Sequence, residues 1–227
     1  MIPWKHLDSA AVPGSQTVLN LYQRDQEFSI RVDRAELMNS RVYSSEDGFS
    51  ELGCARVADR PKPRMLIGGL GMGYSLRSAL EALPADAEVV VSELVPKVAA
   101  WNREHFGHLA NHPLRDPRVT LREIDVGRLL RESRQEYDLI MLDVDNGPEG
   151  LTRKSNDWIY SRAGLLAARA ALRARGVLGY WSSGPSQAFV RRMRAAGFDV
   201  DEIKLYAVNG RGARHVIWLA TVRPGAP

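Results

Sequence analysis

What most constrains the fold of this chain is a change of texture at residue 65. From there on, short apolar runs alternate with segments whose apolar residues recur at helical spacing. Residues 65–69, 88–93, 119–123, 137–143 and 177–182 read as strands. Residues 74–83, with Leu76, Leu80 and Leu83 on one face, read as a helix, and so do 95–105, about 126–134, 158–175 and 185–196, the last ended by Gly197. Apolar strands separated by helices build parallel βαβ units whose sheet is covered on both faces. Residues 200–206 and 215–221 have no helix between them, only the turn Asn209-Gly210-Arg211-Gly212. They require an antiparallel pairing at the end of the sheet.

The first 60 residues are different. Runs at 17–22, 28–32 and 36–42 have strand character, separated by turn signals at Pro13-Gly14 and Arg24-Asp25-Gln26. A short helix follows over 46–57, with Phe49, Leu52, Gly53 and Arg56 at helical intervals. Arg60-Pro61-Lys62-Pro63 then interrupts it, because a residue preceding proline is pushed out of the helical region. The expected organisation is a small β-rich segment over 1–60 and a nucleotide-binding domain over 61–227.

Composition removes several classes. The single cysteine, Cys54, excludes an internal disulfide framework and a cysteine-rich zinc module. The five histidines have no ligand spacing with carboxylates or Cys54, so no metal is expected. No apolar run is long enough to span a membrane, and the first residues lack a signal-peptide layout, which points to the cytoplasm. Lys and Arg total 31 against 27 Asp and Glu, a net charge of +4. The basic residues are scattered rather than striped, so a nucleic-acid partner is not expected.

The strongest chemical signal is Ile67-Gly68-Gly69-Leu70-Gly71-Met72-Gly73, lying between the first strand and first helix of the alternating region. Gly69, Gly71 and Gly73 give G-x-G-x-G, a spacing that lets a ligand approach the backbone and leaves free amides at a helix start for an anionic group. Glu93 ends the second strand about twenty residues on, where a carboxylate reads ribose hydroxyls in nucleotide folds. A solvated strand-end carboxylate is the plain alternative for Glu93. The third glycine comes one residue early for the dinucleotide fingerprint. The spacing instead resembles the first motif of S-adenosylmethionine-dependent transferases. Asp125, after the third strand, matches the acidic position that addresses adenine in that superfamily. The resemblance implies an α/β fold with a seven-stranded Rossmann-like methyltransferase sheet.

A narrower resemblance runs from Glu36 to about Leu172. It rests on Ser45-Glu46 with Phe49-Ser50-Glu51-Leu52, the glycine loop, Ser92-Glu93-Leu94-Val95, Asp116-Pro117-Arg118-Val119, and the run from Tyr137 to Asp143. In these segments the chain resembles the spermidine synthase family and its spermidine synthase-like relatives. The resemblance implies S-adenosylmethionine or its decarboxylated form as donor, a small-molecule acceptor and a homodimer. Three positions depart from the family pattern. Gly71 stands where the family carries a loop aspartate, Phe49-Ser50-Glu51 replaces Tyr-His-Glu, and the acidic loop reads Asp143-Val144-Asp145-Asn146-Gly147-Pro148. Loss of the loop aspartate favours methyl transfer to a small acceptor, such as an amine, over aminopropyl transfer.

Displacement on a sulfonium-activated carbon needs mainly positioning. Asp143 is the expected catalytic residue, accepting a proton from the acceptor or holding it for attack, with Asp145 and Asn146 orienting donor or acceptor. A helix cap or a hydrogen bond to the glycine loop is the structural alternative for Asp143. Glu51 is a candidate ligand contact, though a solvent-facing helix carboxylate reads the same way. Trp158, Tyr160 and Trp181 are candidate aromatic walls for a cationic acceptor, or core residues. The remaining alternatives are polyamine aminopropyl transfer, nucleic-acid methylation, for which no Asn-Pro-Pro-Tyr motif is present, and a non-catalytic protein that binds nucleoside or polyamine.

Overall fold

The computed structural model describes residues 2–144, 157–208 and 211–223. The N-terminal segment is a four-stranded antiparallel meander of β1 (Lys5–Ala11), β2 (Val18–Arg24), β3 (Glu27–Val32) and β4 (Ala35–Asn39). Strand β1 is not evident in the sequence. A register shift between His6 and Asp8 breaks its alternation. Its anchor is polar: Asp8 accepts hydrogen bonds from Trp101 Nε1 at 2.8 Å and Lys97 Nζ at 3.0 Å. Strand β4 ends at Asn39 rather than near 42, because the Asn39 side chain accepts the Arg41 and Val42 amides and turns the chain.

The larger sheet is built from β5 (Arg64–Gly68), β6 (Glu88–Ser92), β7 (Val119–Arg122), β8 (Tyr137–Leu142), β9 (Leu172–Ser182), β10 (Phe198–Val208) and β11 (Arg211–Val222), in the order β10-β11-β9-β8-β5-β6-β7. Strands β5 to β9 are parallel, while β11 runs antiparallel to both neighbours. Alternation along each strand divides the core. Leu66, Ile140 and Leu178 face α4 (Val126–Glu132), α6 (Arg162–Ala171) and α7 (Gln187–Ala195). Met65, Ile67, Leu139 and Met141 face α1 (Ser44–Ala55) and α2 (Tyr74–Ala82). The inner face of the small sheet packs on Met72 and Tyr74 and on Val98 and Trp101 of α3 (Pro96–Trp101), so it roofs the glycine loop.

Two helices differ from the sequence reading. The helix expected over 158–175 is split into α5 (Asp157–Tyr160) and α6, with the Ser161 hydroxyl capping α6 by accepting the Gly164 amide at 3.1 Å. It stops at Ala171, where β9 begins. The Gln135 and Glu136 amides bond to Ala170 and Ala171 carbonyls, and Arg173 pairs with Asp138 at 2.7 Å, so tertiary contacts override helical propensity there. Helix α3 passes after Trp101 into a π-helical turn over Asn102–Phe106. Its wider winding brings Asn102 Nδ2 to within 3.1 Å of the Met72 carbonyl, tying this turn to the glycine loop. Among the described residues no helix is long and apolar enough to cross a membrane.

Candidate active site

Parallel sheets bind ligands beyond the carboxyl ends of their strands, where the strand order reverses. Here that reversal lies between β5 and β8, with β6 and β7 to one side and β9 to the other. Gly69 follows β5 and Asp143 follows β8, and the Asp143 amide bonds the Gly68 carbonyl at 3.0 Å. The strand register therefore sets the glycine loop and the Asp143 carboxyl side by side. A cavity of about 220 Å³ opens there, floored by the strand ends and roofed by the small sheet.

The glycine loop has the backbone that its composition predicts. Gly69, Gly71 and Gly73 have φ of 92°, 52° and 89°. At Gly69 a side chain would also collide with the Asp143 carbonyl, so glycine is required twice over. At Gly71 the space above the Cα opens towards Met38 of the roof, at 3.4 Å from where a Cβ would stand. Glu93 is buried and anchors this loop: its oxygens accept the Leu70 amide at 3.0 Å and the Val95 amide at 2.8 Å. Burial pushes its pKa up, opposed by those amide bonds. Asp125 caps α4, with Oδ1 accepting the Arg128 amide at 3.0 Å. Both carboxyls still line the cavity, and Asp125, with one amide bonded to it, keeps lone pairs for a ribose or adenine donor. The site thus fits an adenosyl donor along β5, β6 and β7.

The other end of the cavity holds Asp143, Glu46 and Trp181. Asp143 Oδ2 accepts the Ser75 hydroxyl at 3.3 Å rather than a loop amide. Withdrawal from water, with added repulsion from Glu46, pushes Asp143 up to about 7. Glu46 projects from the first turn of α1 and is also raised by burial, against the Ser45 hydroxyl bond at 2.7 Å. Neighbouring Asp47 is held by Arg77, whose guanidinium lies over the stacked rings of Tyr43 and Tyr74, 4.4 Å apart. Trp181 packs against His215 with ring centres 4.5 Å apart, and its buried indole nitrogen has no hydrogen-bond partner among the described residues. Burial pushes His215 down, towards the neutral imidazole.

Of the sequence candidates, Gly69, Gly71, Gly73, Glu93, Asp125, Asp143 and Trp181 line one cavity. Three others lie elsewhere. Glu51 is exposed on the outer face of α1. The ring of Trp158 is covered by the Arg131 guanidinium at 3.8 Å, so its cation-binding face is already occupied. Tyr160 is core, packed at 5.3 Å against both Tyr180 and Phe189. Asp145 and Asn146 fall outside the described residues. Sequence reasoning did not place Glu46 and Ser75 in the site. Among the described residues no group of three or more His, Cys, Asp or Glu is arranged to hold a metal ion.

Comparison with solved structures places this architecture. A spermidine synthase in complex with the transition-state analogue AdoDATO superposes with a TM-score of 0.75 at 14% identity, over 96% of this chain and 72% of that one. The Thermotoga maritima spermidine synthase gives a TM-score of 0.74 at 15% identity, over 96% and 72%. The chain has a spermidine synthase-like fold. A probable spermidine synthase from Corynebacterium glutamicum is similar too, with a TM-score of 0.66 at 15% identity, over 96% and 79%. No protein-family model and no curated protein sequence matches the chain. At such identities the likeness establishes the spermidine synthase-like fold and leaves the reaction to the site itself.

Proposed function

We propose that this chain is a transferase that moves the aminopropyl group of decarboxylated S-adenosylmethionine to an amine. The observation that carries this reading is the charge of the cavity wall. Glu46, Glu93, Asp125 and Asp143 line it, and no Lys, Arg or His does among the described residues. S-adenosylmethionine brings a carboxylate on its amino-acid tail, which such a wall repels. The decarboxylated donor brings only an ammonium there, which the wall attracts. The likeness to spermidine synthases supports the same choice.

In this reading Glu93 and Asp125 hold the nucleoside, and the glycine loop lets its backbone approach. Asp143 takes a proton from the acceptor ammonium, a task suited to a carboxyl raised to about 7. The freed nitrogen forms its bond to the carbon attached to sulfur. The carbon–sulfur bond breaks with its electron pair staying on sulfur, so the products are a substituted ammonium and methylthioadenosine. Positioning of the two reactants supplies most of the acceleration.

Methyl transfer from S-adenosylmethionine is the second reading. It is favoured by the loop Leu70-Gly71-Met72, which offers no carboxylate to a donor's amine. Titration calorimetry with S-adenosylmethionine, its decarboxylated form and methylthioadenosine separates the two. The decarboxylated donor is expected to bind at least about tenfold more tightly than S-adenosylmethionine, a difference of about 1.4 kcal/mol. Equal or tighter binding of S-adenosylmethionine would sink aminopropyl transfer. Tight donor binding with no turnover on any acceptor would instead identify a binding protein.

A further inference from the structure

Of the carboxyls in the cavity, Glu93 and Asp125 already accept backbone amides at the nucleoside end. That leaves Glu46 and Asp143 facing one another across the acceptor end, close enough for the charge of one to act on the other. Over the glycine loop the wall changes character. Across the small sheet Ile30 pairs with Met38 and Leu19 with Val32, and a register shift after Ile30 turns Leu37 to the same face. These five side chains line the cavity from Gly71 outward with no charged group among them. A polyamine carries an ammonium every few carbons, and each one buried needs its own carboxylate or water. A wall with one acidic end and an aliphatic run offers a place for one ammonium and for a hydrocarbon body.

We propose that the acceptor is a primary amine with a single ammonium and an apolar body, an alkyl- or arylalkylamine rather than a polyamine. Its nitrogen sits between Glu46 and Asp143, and its body lies along the aliphatic face of the small sheet. Glu46 is then a substrate-binding residue that holds the ammonium, while Asp143 takes the proton. Around the pair, Asp47 is neutralised by Arg77, Glu93 is bonded to backbone amides, and His215 behind Trp181 is held towards its neutral form. No second charge competes at that end among the described residues.

This proposal rests on the aminopropyl-transfer reading, and its test separates the two. With decarboxylated S-adenosylmethionine as donor, kcat/KM is measured for hexylamine, 2-phenylethylamine, putrescine and spermidine, with products identified by mass spectrometry. The monoamines are expected to exceed putrescine by at least about tenfold. Glu46→Gln is expected to raise the monoamine KM by a similar factor. Leu37→Glu, which puts a carboxylate on the aliphatic wall, is expected to raise kcat/KM for putrescine relative to hexylamine. A preference for putrescine or spermidine in the unaltered protein overturns the acceptor class but leaves aminopropyl transfer standing. If Leu37→Glu changes donor affinity and not amine preference, the wall is a lid over the nucleoside and the proposal falls. No product from any amine overturns the transfer reading together with this one.

Discussion

Asp143→Asn should make the protein more stable at neutral pH while abolishing turnover. The carboxyl moves from an ordinary value of 3.8 to about 7 on folding, because it loses water and sits near Glu46. Each tenfold change in proton affinity is worth about 1.4 kcal/mol, so the fold disfavours ionised Asp143 by up to about 4 kcal/mol. For a carboxyl whose folded value is raised, the folded state binds more protons than the unfolded chain between the two values. Stability therefore falls as pH rises from about 4 to about 7, and the whole penalty is present above that. Asparagine keeps the size of the side chain and an oxygen for the Ser75 hydroxyl, and it never ionises. Urea unfolding at about pH 8 should show the variant more stable by roughly 2–4 kcal/mol, and at about pH 4 the two proteins should coincide. The same difference should appear as a rise in Tm of several degrees at the higher pH only. A variant less stable than the parent at about pH 8 would refute the reasoning, because that is the behaviour of a carboxylate kept ionised by its hydrogen bonds.

Two further perturbations probe the frame around the site. Asp138 accepts hydrogen bonds from Arg60 at 2.6 Å, Arg173 at 2.7 Å and the Arg64 amide at 2.9 Å, which hold its pKa low although burial acts to raise it. Asp138→Ala should cost about 3 kcal/mol in urea unfolding without altering donor affinity, and the Asp138 contribution should fade on acidification below its ordinary value; a change within about 0.5 kcal/mol would show the cluster to be surface decoration. Gly69→Ala forces an alanine to a φ of 92° and drives its Cβ into the Asp143 carbonyl. Donor binding by calorimetry should weaken at least about tenfold while the far-ultraviolet circular dichroism stays that of the parent, and unchanged affinity would mean that the loop does not touch the donor.

The large sheet is legible because its strands have both faces buried. Leu66 and Ile140 point to one core, and Met65, Ile67, Leu139 and Met141 to the other, so the sequence shows unbroken apolar runs with helical patterns between them. What escapes is held by single polar contacts. Strand β1 has few apolar residues and is fixed by Asp8 on Trp101 and Lys97, partners about ninety residues away. The end of α6 is set by what β9 pairs with, which no local propensity records. The same physics separates Glu46 from Glu51. Phe49, Ser50 and Gly53 form the buried face of α1, and a period of 3.6 places Glu46 on that face and Glu51 off it. The periodicity alone is sufficient to select Glu46 over Glu51.

A count of acids therefore says less about such a site than the company each one keeps. Glu93, Asp125 and Asp143 occupy equivalent strand-end positions, and the sequence treats them alike. In the fold Glu93 ties the glycine loop to the start of α3, and Asp125 caps α4. Both accept backbone amides that order this end of the cavity. Among the described residues Asp143 accepts a hydroxyl at 3.3 Å and no backbone amide, and with burial and another acid nearby its pKa is raised to about 7. Burial is the larger cause of that rise, and α1, which carries Glu46 from just beyond the small sheet to the end of β8, adds to it. The N-terminal segment thus adds to the electrostatics of the site as well as roofing it: burial is the main force on Asp143, and Glu46 pushes its pKa in the same direction.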